Sequence, residues 1–163
     1  DLEQVAEVLK LGASPNLPTD GTDIHAPPLC HIFNLIRYDR DYVAEYVELL
    51  IDNGADVNGC PAIGIAAFFG SKDLVSLLVK KGANYHTFIS EHEYIFGGEG
   101  KYVNNPLIGA AYSGNIIILK QFLKTGIEIK DSNYFILAAF KSLNADMMEK
   151  CLQKLMVLKK NYS

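Results

Sequence analysis

An all-α solenoid of stacked, look-alike helix pairs is the fold that this 163-residue sequence predicts. Three observations predict it. Residues 49–58 read LLIDNGADVN and residues 73–84 read DLVSLLVKKGAN, so an apolar, helix-like run ends twice on Gly-Ala and a short polar turn. Between them, residues 66–70 read AAFFG, a second kind of segment that is rich in small residues and stops on Gly70. The same glycine-terminated phrase returns along the chain, at Gly12, Gly54, Gly82 and Gly126, with a degenerate last copy near Leu155. Self-similarity spaced by a few tens of residues is the mark of a stacked repeat architecture.

Each element follows from local chemistry. Glycine just past a helix adopts the left-handed conformation without Cβ strain, so it caps the helix and turns the chain. Ahead of the caps lie segments with the 3.6-residue apolar period of half-buried helices. Their apolar sets are Val5, Val8 and Leu9; Val43, Val47, Leu49 and Leu50; Leu74, Leu77 and Leu78; Ile118, Leu119, Phe122 and Leu123; and Met147, Met148, Cys151 and Leu152. Upstream of all but the first sits a shorter helix: residues 28–33 (PLCHIF), 62–67 (AIGIAA), 106–111 (PLIGAA) and 134–139 (YFILAA). Proline suits the first helical position because its missing N–H would have no intrahelical partner there. Paired alanines permit close helix approach.

Bulk composition narrows the function classes. The chain is 49% hydrophobic and 21% charged, as expected of a soluble domain with a real core. A net charge of −4 gives no basic face with which to neutralise phosphates, so nucleic acid is not an expected partner. No apolar run approaches the ~20 residues that span a bilayer, so no membrane partner is expected either. Cys30, Cys60 and Cys151 have neither an even count nor metal-ligand spacing, which predicts free thiols in a reducing, intracellular compartment. Lysine far outnumbers arginine, which occurs only at 37 and 40, a bias that suits an AT-rich genome.

These residues resemble the ankyrin repeat. The family pattern runs roughly Thr-Pro-Leu-His-x-Ala-Ala-x-x-Gly, then an apolar helix, then Gly-Ala-Asp-Val-Asn. Residues 54–58 match its last part, and Asn105-Pro106-Leu107 with residues 110–114 (AAYSG) match its first. From 62 to 82 and from 106 to 126 the interval is twenty residues, as in the family. The resemblance implies an ankyrin-repeat solenoid of antiparallel helix pairs with hairpin-type loops: a half repeat at 1–22, repeats at about 23–58, 59–86, 103–130 and 131–158, and an insertion at 87–104. Glycine-to-glycine steps of 42 (12 to 54), 28 (54 to 82) and 44 (82 to 126) depart from the family period of about 33. Extra residues at 35–42 and the insertion lengthen two steps, and a minimal hairpin at 58–61 shortens the other. The lysine-rich end at 159–160 suits a terminal cap, one side of which faces water. The irregular repeats also resemble ankyrin proteins that intracellular bacteria deliver into host cells, which implies the host cytosol.

No catalytic constellation is expected within the chain. Gly97, Gly98, Gly100 and Lys101 faintly resemble a phosphate loop, but no strand precedes them and the Gly-to-Lys spacing is wrong. His86, Glu91, His92 and Glu93 have no helical ligand spacing, so neither a metal nor a cofactor is expected. Cys30 and His31 are neighbours and point about 100° apart on a helix, which predicts a packed cysteine rather than a nucleophile and base.

A protein partner is the expectation, on a monomeric array. In the family the two residues after Ala-Ala and the hairpin tips line the inner curved surface. Carried over by position, these are Phe68 and Phe69, Tyr112 and Ser113, and Phe140 and Lys141. Aromatics at such positions either anchor a partner or pack against the adjacent repeat. Phe88, Tyr94, Ile95, Phe96 and Tyr102 put five more large apolar residues on the insertion, which argues for a functional loop. Arg37, Tyr38, Asp39 and Arg40 read as a solvated extension. The start in mid-repeat without Met also fits an excised piece, the targeting or regulatory part of a larger enzyme.

Overall fold

The computed structural model describes residues 1–17, 27–36, 40–85, 103–127 and the positions 138–139, 149–150, 152–153 and 156. Among them lie seven α-helices, one 3-10 turn and no strand. The helices are α1 (Leu2–Lys10), α2 (Pro28–Ile32, continued by a 3-10 turn at Phe33–Leu35), α3 (Arg40–Asp52), α4 (Ala62–Phe68), α5 (Lys72–Lys80), α6 (Pro106–Ser113) and α7 (Ile116–Leu123). The all-α expectation holds for the described residues. The insertion at 87–104, apart from Val103 and Asn104, and most of 131–158 lie outside them.

The helices pack as pairs, and the pairs pack on one another. Within pairs, α2 meets α3, α4 meets α5 and α6 meets α7. Between pairs, the longer helices form one row, α1 on α3, α3 on α5 and α5 on α7, while α4 lies against α6. One continuous core results, running from Leu29 and Phe33 through Val47, Ile65 and Leu78 to Leu107, Leu119 and Phe122. At the end of the row α1 has no fully buried residue, and Val8, expected to be apolar-face core, is 53% exposed.

Glycine sets the ends of these helices in two phased series. After the row helices, Gly12, Gly54, Gly82 and Gly126 have φ of 97°, 94°, 91° and 77°, and the turns inside two of the pairs place Gly70 and Gly114 at 69° each. At Gly54 the reason is a paired hydrogen bond: Gly54 N–H donates to Ile51 C=O at 3.0 Å and Ala55 N–H to Leu50 C=O at 2.9 Å. That arrangement closes the last turn only when the intervening residue is left-handed. After Gly54 and Gly82 the following alanine turns inward, and Ala55 and Ala83 are both buried, whereas Ala13 after Gly12 is exposed. At those two turns this is why the phrase is Gly-Ala and not merely Gly.

Asparagines stitch one pair to the next. Asn16 Nδ2 donates to Gly54 C=O (2.7 Å) and its Oδ1 accepts from Asp56 N–H (2.8 Å). One pair along, Asn58 Nδ2 donates to Gly82 C=O (3.4 Å) and its Oδ1 accepts from Asn84 N–H (2.9 Å). Each asparagine stands four residues after a capping glycine and clamps the turn of the following pair. On the opposite turns, Asn115 caps α7 through Ile117 and Ile118 N–H and donates to Gly70 C=O at 3.1 Å. Lys81 adds an ion pair from the end of α5 to Glu48 (3.2 Å) and Asp52 of α3. The Asp52 hydrogen bond, with help from Glu48, raises the Lys81 pKa above its ordinary value.

The closest approach in the stack lies around α4. A Cβ added at Gly64 would stand 1.7 Å from the Val103 carbonyl oxygen, and one at Gly109 would stand 2.7 Å from the Gly64 carbonyl oxygen. Backbone meets backbone there.

Two outcomes follow. Gly64→Ala, which forces two backbones apart, is expected to lower stability by about 3 kcal/mol or more in urea unfolding, at the upper end of overpacking costs. Asn16→Ala and Asn58→Ala, each removing two exposed hydrogen bonds, are expected to cost about 1–2 kcal/mol apiece by the same measurement. Costs near zero for both asparagines would show that the clamps merely accompany the packing.

Candidate partner-binding surface

The small-residue helices end in aromatics for a positional reason. Ala66-Ala67-Phe68-Phe69-Gly70 and Ala110-Ala111-Tyr112-Ser113-Gly114 are the same five-residue phrase, offset by 44 residues in sequence (70 to 114) and adjacent in space. The alanines are fully buried, and this lets α4 and α6 approach. The following residue of each phrase therefore faces its counterpart.

Phe68 and Tyr112 stack, with ring centroids 4.3 Å apart and planes inclined by 18°. Phe69 meets Phe68 edge to face at 5.0 Å and 85°. Such geometries are the favoured ones for aromatic pairs and contribute about 0.5–1.5 kcal/mol beyond simple burial. Three of the sequence-predicted residues are thus brought into one cluster, but they are not equivalent.

Phe68, expected on the partner-facing surface, is 6% exposed. Its ring is covered by Tyr112, and its backbone lies against Gly109. That burial removes it from the accessible surface, whereas Phe69 and Tyr112 stay half-buried. Ser113, also expected to face a partner, is half-buried, and its hydroxyl is taken up by the turn. It donates to Ala110 C=O (3.0 Å), accepts from Asn115 N–H (3.4 Å) and sits against Gly70. Phe140, Lys141, Phe88, Tyr94, Ile95, Phe96 and Tyr102 lie outside the described residues, as do the residues of the phosphate-loop and metal readings.

Elsewhere, an open apolar groove of about 310 Å³ runs beside α1, lined by Val5, Val8, Leu9, Ala13, Pro28 and Leu50 among others. Cys30 is buried, with its sulfur 4.0 Å from the Gly59 carbonyl. Among the described residues no group of three or more His, Cys, Asp or Glu is placed to hold a metal ion, and no helix is long and apolar enough to cross a membrane.

The unequal burial of the two phenylalanines makes a measurable difference. Phe68→Ala opens a cavity in the α4–α6 contact and is expected to cost about 3–5 kcal/mol in equilibrium unfolding. Phe69→Ala is expected to cost less than about half of that, because its ring is already partly in water. Equal costs would show that the two positions share one role. Compared with known proteins, no family model matches this chain and no curated protein matches it.

Proposed function

We propose that the chain is a protein-binding module of the ankyrin-repeat type, which captures a partner non-covalently and has no catalytic role of its own. The observation that carries this reading is the aromatic cluster in which Phe68 and Tyr112, at corresponding positions of neighbouring helix pairs, stack and Phe69 joins them. Aromatic residues are favoured as interface anchors because they bring large contact areas with few rotatable bonds. Phe68 serves as the platform, and Phe69 and Tyr112 are the rings with surface left to offer. Being already packed against one another, they lose little freedom when a partner docks, and lower ordering cost is what a stiff array contributes to affinity.

The clamped stack supports the same reading. Hydrogen bonds from Asn16, Asn58 and Asn115 hold successive turns in register, so side chains at matching positions keep a fixed spacing. An intracellular protein is the partner class that the resemblance implies.

Affinity capture from a cell extract, quantified by mass spectrometry, tests the proposal. Phe69→Ala is expected to lower the recovery of specific partners more than tenfold while helicity stays close to that of the parent chain and the melting midpoint falls less than it does for Phe68→Ala. Tyr112→Ala is expected to lose the same partners and also some stability, since it uncovers Phe68. A folded Phe69→Ala chain that captures the same proteins in the same amounts would refute this surface.

A further inference from the structure

We propose that Cys30 and Cys60 form a buried dithiol that small peroxides oxidise reversibly to a disulfide, tying α2 to the segment that leads into α4. The two residues are thirty apart in sequence and 1% and 4% exposed, respectively. Cys30 lies on α2, and its thiol points at the carbonyl of Gly59, the residue before Cys60. Hydrogen bonding with the Cys30 thiol is the largest cause of a Cys60 pKa pushed well above the ordinary thiol range, followed by burial. The Gly59 contact thus brings the Cys30 sulfur beside Cys60, across the boundary between two helix pairs. The raised pKa keeps the Cys60 thiol protonated at neutral pH, and because the thiolate is the nucleophile, its reaction is slow.

Access is the second observation. A cavity of about 20 Å³, the size of one water molecule, reaches Cys60 between Val57, Asn58, Ile63, Ala83 and Asn84. Hydrogen peroxide is only slightly larger than water and brings its own hydrogen-bonding groups to a rim containing two asparagines. A tripeptide disulfide is far too large. The cavity therefore selects the class of oxidant, and of the two cysteines it is Cys60 that lines it.

The chemistry balances. The Cys60 thiol loses its proton and its sulfur attacks one peroxide oxygen; an S–O bond forms, the O–O bond breaks, and the departing hydroxide takes up that proton as water. Cys60 is then a sulfenic acid. The Cys30 sulfur attacks the Cys60 sulfur, an S–S bond forms and the S–O bond breaks, and the hydroxyl leaves with the Cys30 proton as a second water. Two thiols have given up two electrons, and one peroxide has become two waters. A dithiol reductant reverses the change by thiol–disulfide exchange.

The test uses the whole chain carrying Cys151→Ser, treated in parallel with hydrogen peroxide and with glutathione disulfide at equal concentration. Free thiols are then blocked after denaturation, and the digest is mapped by mass spectrometry without reduction. The expected result is a Cys30–Cys60 linked peptide that forms at least tenfold faster with peroxide and disappears on adding a dithiol reductant. Cys60 converted only to sulfinic or sulfonic acid, with Cys30 still open to alkylation, would overturn the proposal. So would faster reaction with glutathione disulfide, which would show that the cavity does not govern access. The parent chain is run alongside, and oxidation that joins Cys151 to Cys60 in preference to Cys30 would equally overturn it.

Discussion

None of the described helices except α3, at thirteen residues, is longer than nine residues. An isolated helix of that length does not hold in water, because the nucleation cost is spread over too few propagating hydrogen bonds. Each helix therefore exists by virtue of its neighbours. That constraint explains why the helices occur in pairs, why the pairs stack and why α4 is buried at every one of its seven residues. It also bears on α1: among the described residues it packs chiefly on α3, none of its residues is fully buried and Val8 stays in water.

Packing of this kind fixes distance but leaves sliding and rotation comparatively free, since apolar contact is non-directional. Directional groups supply what is missing. The Asn16 and Asn58 amides bond to both the carbonyl and the N–H of the next turn, and two bonds from one planar amide set rotation as well as distance. Gly64 and Gly109 do the complementary work, since without a Cβ the backbones of α4, α6 and the segment at Val103 can touch. Amides on the turns and glycines in the interior thus determine one arrangement among many that would bury similar area.

The features set by a single residue's local chemistry were legible in the sequence. Glycine is the residue that accepts positive φ, so Gly12, Gly54, Gly82 and Gly126 announced the ends of the row helices, and Gly70 and Gly114 the inner turns. Apolar period worked for α3, α5 and α7, each of which keeps one face toward water. It failed for α4, where burial on all sides leaves no period to find, and there Phe68 and Phe69 could not be told apart. What separates them is Tyr112, a residue 44 positions later than Phe68. Asn16 and Asn58 were visible as part of a phrase, but their partners sit 38 to 40 and 24 to 26 residues away, and no local rule assigns them. The nearness of Cys30 and Cys60 was hidden for the same reason, being a contact between pairs rather than within one.

One helix joins these features. The segment that enters α4 carries Cys60, its middle carries Gly64 against the Val103 carbonyl, and its last turn carries Phe68 beneath Tyr112. Six residues separate the start of the helix from the ring (62 to 68), about 9 Å along the helix axis. A close-packed interior has few voids into which a displaced helix can relax. The Val103 carbonyl oxygen stands where a Cβ of residue 64 would be, so α4 has no room to shift toward that segment. In a stack, a helix pair is held chiefly by the pairs beside it. Here the next pair is the one that holds the other half of the aromatic cluster.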